Sequence, residues 1–130
     1  FSIWHKEANL WLLNLEDGSM KELTNVNSPD VESYHSWSSE GFWFVFSSRR
    51  LDGLYTRLFL AGISRDGTVS KPFLLPQKDP FECYDASFFS YNVPEFLTGP
   101  VKWDVRRMYR ALNKPERKTL EYIGDQNLIQ

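Results

Sequence analysis

The sequence lacks the features that commonly mark an enzyme, a metalloprotein or a membrane-spanning protein. A single cysteine, Cys83, excludes an internal disulfide and a C-x-x-C metal or haem motif. His5 and His35 do not form a zinc spacing, and the chain contains neither a G-x-S-x-G nucleophile elbow nor a Gly-rich phosphate loop. No apolar run reaches the roughly 18 residues that a transmembrane helix needs. We therefore predict no catalytic residue, no metal, no cofactor and no transmembrane segment.

The composition is that of a globular chain rich in aromatic side chains. Of 130 residues, 42% are hydrophobic, 16% are aromatic and 25% are charged, with a net charge of −2. Aromatic residues are enriched in β-strands, where they pack well on a pleated, half-buried surface. This composition argues against disorder.

The charge is unevenly distributed along the chain. Residues 101–121 carry seven Lys or Arg against three Asp or Glu, whereas the remainder carries eight against fourteen. A basic tail on an acidic body is consistent with intramolecular docking, with an acidic partner, or simply with a solvated helix face. Because the whole chain is slightly acidic and this tail contains one Trp, we predict no nucleic-acid binding.

The sequence contains an internal repeat. Phe1-Ser2 matches Phe46-Ser47 at an offset of 45, and Leu10-Trp11-Leu12 matches Leu58-Phe59-Leu60 at 48. The Asp-Gly pair at 17–18 matches the pair at 66–67 at 49. Asp-Gly between apolar runs is a strong hairpin signal. A period of 45 to 49 residues is at the upper edge of four-stranded propeller blades.

The repeat predicts seven strands, the first of which begins before the chain does. In the first copy they are Phe1–Trp4, Asn9–Leu15 and Met20–Thr24; in the second they are Tyr34–Trp37, Phe42–Ser47, Thr56–Ser64 and Thr68–Leu75. The run Phe42 to Phe46 does not alternate, so both of its faces are apolar, and a strand with two apolar faces must be covered on both sides. We expect some of that cover to lie outside these 130 residues.

The chain changes character after Pro76. Residues 77–91 are polar, aromatic and irregular, and Pro100 suits the first turn of a helix. Apolar residues then recur at helical spacing, and Pro115 can open a second, shorter helix carrying Leu120 and Ile123. The apolar positions of the first helix are Val101, Val105, Met108, Tyr109 and Leu112.

Residues 37–53, which read WSSEGFWFVFSSRRLDG, resemble the WD-repeat-like propeller repeat of TolB-type proteins. Trp37-Ser38, Gly41, Trp43 and the Asp52-Gly53 pair stand at the marks of that repeat, although Ser39-Glu40 replaces its usual Pro-Asp. The stretches SSRRLDGLYTR, KPFLLPQKDP and YNVPEFLTGPV are also similar to TolB-like envelope proteins of Bacteroidetes-type bacteria.

The resemblance implies a mainly β chain with two parts. Residues 1–76 would form a partial β-propeller, with a partial blade at 1–25 and a complete blade at 34–76. Residues 77–130 would form an irregular segment and a helical tail. The implied protein is a non-catalytic interaction module of the bacterial envelope or periplasm, whose signal peptide would lie upstream of Phe1. Open blade faces would bind a protein partner or other copies of the chain.

Two enzymatic alternatives share this repeat. One is the propeller part of a dipeptidyl-peptidase-like serine peptidase without its hydrolase domain, and the other is a carbohydrate-active propeller such as an oligogalacturonate lyase. The second alternative would use residues of the propeller channel.

The candidate binding residues lie on one loop and one strand. Arginine presents a planar fork of donors that suits carboxylates, phosphates and sugars, and loops on a rigid scaffold often carry function. Alternatively, Arg50 and Asp52 pair across the turn and only hold the edge of the sheet. On the strand, a histidine beside Trp37 would point into the channel or be an ordinary core residue. The candidates are His35, Arg49, Arg50, Asp52, Tyr55 and Arg57.

Overall fold

The computed structural model describes residues 4–113 and confirms a mainly β chain. It contains two antiparallel sheets, one π-helical turn at Phe81–Asp85 and one α-helix. The elements are β1 (Trp11–Leu13), β2 (Met20–Glu22), β3 (Glu32–Trp37), β4 (Trp43–Ser48), β5 (Arg57–Gly62), β6 (Phe73–Leu74) and α1 (Val105–Leu112). Of the predicted first strand, residues 1–3 lie outside the described range, and Trp4 is not in a strand.

Four of the strands form one sheet in chain order, β3-β4-β5-β6, with every neighbouring pair antiparallel. The four strands predicted between 34 and 76 are therefore present, and the sheet extends from Glu32 to Leu74. The last strand is much shorter than predicted. Val69 forms an isolated bridge with Ile63, but the ladder resumes only at Phe73. Pro72 lies between them and has no N–H to donate to a ladder.

The strands β1 and β2 form a separate hairpin, and its turn repeats that of the second copy. Gly18 and Gly67 both adopt the left-handed conformation, at φ 71° and 78°, which is inexpensive only for glycine. In each turn the preceding aspartate accepts a hydrogen bond from the backbone N–H two residues later, at 2.8 Å for Asp17 and 3.0 Å for Asp66. Hydrogen bonding from the side chain and backbone of Ser19 lowers the pKa of Asp17, and hydrogen bonding from the backbone and side chain of Thr68 lowers that of Asp66. The repeat seen in the sequence is thus also a repeat of local structure.

The hairpin packs on one face of the four-stranded sheet, which we call face A. Face A carries Phe44, Phe46, Phe59 and Ala61, all buried. Leu10, Leu23, Val26 and Val69 join these residues in the core cluster. The side chain of Asn27 fixes the start of β1, because it accepts a hydrogen bond from the N–H of Leu10 and donates one to its carbonyl. The hydrophobic core therefore lies between the hairpin and face A.

The opposite face of the sheet, face B, is covered in part by the chain beyond the sheet. The hydroxyl of Ser47 donates to the carbonyls of Tyr91 and Asn92 at 2.8 and 2.9 Å. Val45 is also buried, so β4 is covered on both sides over much of its length. At the other end of face B, Trp43 and Phe73 pack edge to face and remain about half exposed.

The chain divides into two compact units, one up to Thr98 and the other from Gly99 onward. The helix of the second unit begins at Val105 instead of near Pro100. The reason is Asp104, whose carboxylate accepts the N–H of Arg107 at 2.9 Å and caps the helix. The second predicted helix, from Pro115, lies outside the described residues.

The core position of Phe46 gives the first prediction. Its side chain is 0% exposed and stacks on Phe59 with ring centroids 5.9 Å apart. We expect Phe46→Ala to lower the free energy of unfolding by about 3–5 kcal/mol, because it removes buried surface and leaves a cavity. Urea denaturation measures this change. Phe81→Ala is the matched control, since that ring is 70% exposed, and it should cost less than about 0.5 kcal/mol. Equal losses in both variants would contradict the assigned core.

Candidate functional site

A β-bulge in strand β3 determines where His35 lies. The register passes from Ser33 paired with Ser47 to Ser36 paired with Val45, so Tyr34 and His35 together oppose one residue of β4. Tyr34 has φ 46°, a left-handed conformation that is uncommon for any residue other than glycine. Bulges of this kind redirect side chains, and here His35 is exposed and lines a groove.

This groove, which we call the β1 groove, has a volume of 250 Å³ and lies between the hairpin and the β3 side of face A. Apart from His35, the side chains that line it are aliphatic or aromatic. Trp37 is 41% exposed and packs against the buried Phe44 ring in a tilted arrangement, with centroids 5.0 Å apart and 47° between the ring planes. The lining residues are Leu10, Trp11, Leu12, Leu13, Leu15, Leu23, His35, Trp37 and Phe44.

Strand β1 presents an open edge beside this groove. Its other edge pairs with β2, and no further strand pairs with β1 among residues 4–113. The Leu10 carbonyl accepts a hydrogen bond from the Leu23 N–H, and the Asn14 N–H donates to the Ser19 carbonyl, so both residues face β2. Since bonded positions alternate along an antiparallel pair, the backbone groups of Trp11 and Leu13 point away from β2. The site therefore combines apolar walls with free backbone donors and acceptors.

The guanidinium of Arg50, a predicted binding residue, is hydrogen bonded to groups of its own chain. One of its terminal nitrogens donates to Glu32 Oε1 at 2.7 Å and to the Val26 carbonyl at 2.6 Å, while Nε donates to Ser48 Oγ at 3.0 Å. Its guanidinium also lies 4.6 Å from the centroid of the Phe59 ring. Glu32 is fully buried and accepts a further bond from Ser28 Oγ at 2.7 Å. Arg50 thus pairs with Glu32 and not with Asp52.

Arg57 is engaged in the same way at the other end of the loop. It is 1% exposed, and its guanidinium donates to the carbonyls of Tyr84 at 2.6 Å, Ser87 at 3.0 Å and Phe89. Tyr55 packs against this guanidinium, with its ring centroid 5.2 Å from Cζ. These contacts attach the segment after the sheet to the start of β5.

The two remaining loop candidates also contact their own chain. Arg49 forms an ion pair with Asp30 at 3.0 Å, and both side chains are mostly buried. Asp52 accepts the N–H groups of Leu54 and Tyr55, each at 2.8 Å, and so shapes the loop. The loop candidates therefore lie near one another, but His35 lies apart from them in the β1 groove. A ligand-binding role for these residues stays a prediction.

The residues that form most of the groove were not predicted as site residues. Trp11 and Leu13 appeared in the sequence only as part of a short apolar strand. The signal available was that Leu10 to Leu13 are all apolar and do not alternate, which indicates two contacted faces. Within residues 4–113, no group of three or more His, Cys, Asp or Glu side chains is arranged to hold a metal ion. No helix in the same range is long and apolar enough to cross a membrane.

The buried Glu32–Arg50 pair gives the second prediction. Removing one member of a buried ion pair leaves the other charge uncompensated, so we expect Arg50→Met to lower the free energy of unfolding by about 3–5 kcal/mol. The double variant Glu32→Leu, Arg50→Met should lose less free energy of unfolding than the sum of the losses in the two single variants. Chemical denaturation of the two single variants and the double variant measures these losses. Arg65→Met is the control, because Arg65 is exposed and its guanidinium lies 6.0 Å from the centroid of the Phe42 ring. A loss for Arg50→Met as small as that of the control would contradict a structural role.

The Asp30–Arg49 pair gives a prediction about pH. Burial raises the pKa of Asp30, but the hydrogen bonds from Val31 N–H and from Arg49 outweigh it, and the net pKa lies below the ordinary 3.8. A lowered carboxyl pKa contributes stability that is present above pH 3.8 and is lost as the pH falls through the folded-state value.

We expect Asp30→Asn to cost about 1 kcal/mol at neutral pH and progressively less in acid. Thermal unfolding across the pH range measures the difference from the unmodified protein. Asp85→Asn, at an exposed carboxylate, should show no such trend. A cost for Asp30→Asn that stays constant into acid would refute the assignment.

Comparison with known proteins finds no protein-family model, curated protein or solved structure that matches this chain. The resemblance of residues 37–53 to the TolB-type repeat therefore stays a prediction from the sequence. Function has to be argued from the geometry of the sheet, the hairpin and the β1 groove.

Proposed function

We propose that this chain is a non-catalytic interaction module of the bacterial envelope, built as consecutive blades of a TolB-like β-propeller. Hairpin β1–β2 would be the outer part of one blade, and strands β3–β6 would be the next blade. The observation that carries the proposal is the stacking of the hairpin on face A, with the apolar core between them. Adjacent propeller blades stack in this face-to-face manner around a channel.

The internal repeat supports the same arrangement. Leu10-Trp11-Leu12 corresponds to Leu58-Phe59-Leu60, so β1 corresponds to β5. In the second copy, β5 pairs on one side with β6 and on the other with β4. In the first copy, β1 pairs with β2, and its other edge is open among residues 4–113. The β1 groove is therefore where a strand corresponding to β4 would bind.

The groove is suited to binding an extended strand. An added strand would hydrogen bond to the backbone of Trp11 and Leu13, while its side chains covered Trp37 and Phe44. This is β-augmentation, in which backbone hydrogen bonds supply affinity and side-chain pockets supply specificity. By the repeat, Phe1-Ser2 corresponds to Phe46-Ser47 of β4, so the strand would be the segment around Phe1 of another copy of the chain, or a strand of a protein partner in its place.

The chemistry of the groove favours binding over catalysis. His35 is the one titratable side chain among the nine residues that line it. General acid–base catalysis normally needs a positioned partner that sets the protonation of the histidine. The three loop arginines are occupied by carboxylates and backbone carbonyls of the same chain. The groove thus offers apolar contact and backbone pairing as its main means of recognition.

Self-association through the β1 groove is the testable form of this proposal. Sedimentation velocity over a range of concentrations should show the chain associating with itself. Leu13→Lys should weaken association at least about tenfold, since a buried leucine is worth about 1.5–3 kcal/mol and an edge lysine opposes strand pairing. Leu13 is 50% exposed in the groove, so the substitution should leave the fold intact.

Leu54→Lys is the matched control, because Leu54 is 74% exposed in the β4–β5 loop and does not line the groove. It should associate as the unmodified chain does. A folded monomer at every concentration, or equal weakening in both variants, would refute pairing through the groove.

A further inference from the structure

Helix α1 has two chemically distinct faces. At about 100° per residue, its apolar side chains share an arc of roughly 100°. These are Val105, Met108, Tyr109 and Leu112. Arg106, Arg107 and Arg110 occupy the other side of the helix. This separation is that of a basic amphipathic helix.

Within residues 99–113 of the second unit, nothing covers the apolar face of this helix. None of its eight side chains is buried, and Leu112 and Val105 are among the most exposed apolar residues of residues 4–113. Isolated helices of this length are marginal in water and usually depend on packing of an apolar face. Local caps define its ends: Asp104 accepts Arg107 N–H, and the side chain of Asn113 donates to the Tyr109 carbonyl at 2.9 Å. Local hydrogen bonds thus define the ends of the helix, but its stability in water needs a surface against which the apolar face packs.

The charge around the helix indicates the chemistry of that surface. Residues 99–113 contain four basic side chains, Lys102 and the three arginines, against a single acidic one, Asp104. The carboxylate of Asp104 is occupied by the helix cap. The whole chain, by contrast, has a net charge of −2. The positive charge is concentrated where the uncovered apolar face lies.

Trp103, which is 70% exposed, lies two residues before the start of the helix at Val105. An indole ring is amphipathic, with an apolar body and one N–H donor, and such rings are favoured where water meets lipid. A surface that accepts an apolar face, several guanidinium groups and an exposed Trp together is both apolar and anionic. A bilayer containing acidic phospholipids has this combination across its headgroup region.

We propose that residues 101–112 bind the surface of an anionic phospholipid bilayer, with α1 lying in the plane of the interface. The apolar face enters the boundary between headgroups and acyl chains, and the arginines contact lipid phosphates as planar donors. This site is independent of the β1 groove, and the inference does not rest on the proposed interaction module.

Vesicle binding by the full 130-residue chain tests the proposal. The chain should co-sediment with vesicles that mix phosphatidylglycerol and phosphatidylcholine, and not with phosphatidylcholine alone. Each basic residue near an anionic surface strengthens binding about fivefold, so the triple variant Arg106→Gln, Arg107→Gln, Arg110→Gln should bind on the order of 100-fold more weakly. Raising the salt from about 0.1 M to about 0.5 M should also weaken binding of the unmodified chain.

The matched control is the triple variant Lys21→Gln, Lys71→Gln, Lys78→Gln, which makes the same charge change at exposed positions of the first unit. It should bind within about twofold of the unmodified chain, because these charges are outside the proposed site. Equal weakening in both triple variants would mean non-specific attraction and would overturn the proposal. Absence of binding to anionic vesicles, or equal binding to neutral ones, would overturn it as well.

Insertion of the helix region is measured separately. Lipids brominated on the acyl chain should quench tryptophan fluorescence of the unmodified chain, and Trp103→Phe should remove most of that quenching. Circular dichroism of each variant without vesicles checks that the sheet is intact. Quenching that is unchanged in Trp103→Phe would show that another part of the chain enters the lipid, and would overturn the site.

Discussion

The buried ion pair between Glu32 and Arg50 is the contact on which the arrangement of hairpin and sheet depends. Glu32 lies at the start of β3, Arg50 lies just after β4, and the Val26 carbonyl that Arg50 also contacts belongs to the connection from the hairpin. A carboxylate with no exposed surface is costly unless it is paired and hydrogen bonded. The same network reaches the connection, because Arg50 donates to the Val26 carbonyl and Ser28 Oγ donates to Glu32. These bonds fasten the connection to the sheet, and hydrophobic burial between hairpin and face A stabilises the placement of the hairpin.

That placement, together with one local distortion, creates the β1 groove. The hairpin covers the middle of face A but leaves Trp37 partly exposed at its β3 side. The bulge at Tyr34 and His35 then turns an otherwise regular strand so that His35 lines the same groove. A left-handed tyrosine is costly and persists only where surrounding contacts fix it. Strained residues of this kind cluster at functional sites, and Tyr34 adjoins His35, which lines the β1 groove.

Sequence reasoning predicted local structure well and long-range contacts poorly, for a physical reason. Asp-Gly turns and the apolar run at 42–46 are signals contained within a few residues, and the structure has strands and turns where they predict them. The partners of the arginines are not local: Arg50 meets Glu32 across 18 positions, and Arg57 meets the Phe89 carbonyl across 32. An arginine with a distant buried acceptor looks the same in sequence as one that awaits a ligand. For that reason the loop was predicted as a binding site, whereas the open edge of β1, which depends on pairing, was not.

The β1 edge and the apolar face of α1 differ in what they would require of a partner. Natural edge strands that must remain single usually carry lysine, proline or a bulge, which blunt pairing. Strand β1 carries Trp11, Leu12 and Leu13, and none of those devices, so its composition is that of a strand with neighbours on both sides. Helix α1 carries its charges on the face opposite its apolar stripe, which suits a partner that is anionic and deformable. Pairing at β1 would depend on backbone geometry and respond little to salt, whereas binding at α1 would depend on charge and be screened by salt. Varying the ionic strength would therefore distinguish the two proposed kinds of binding.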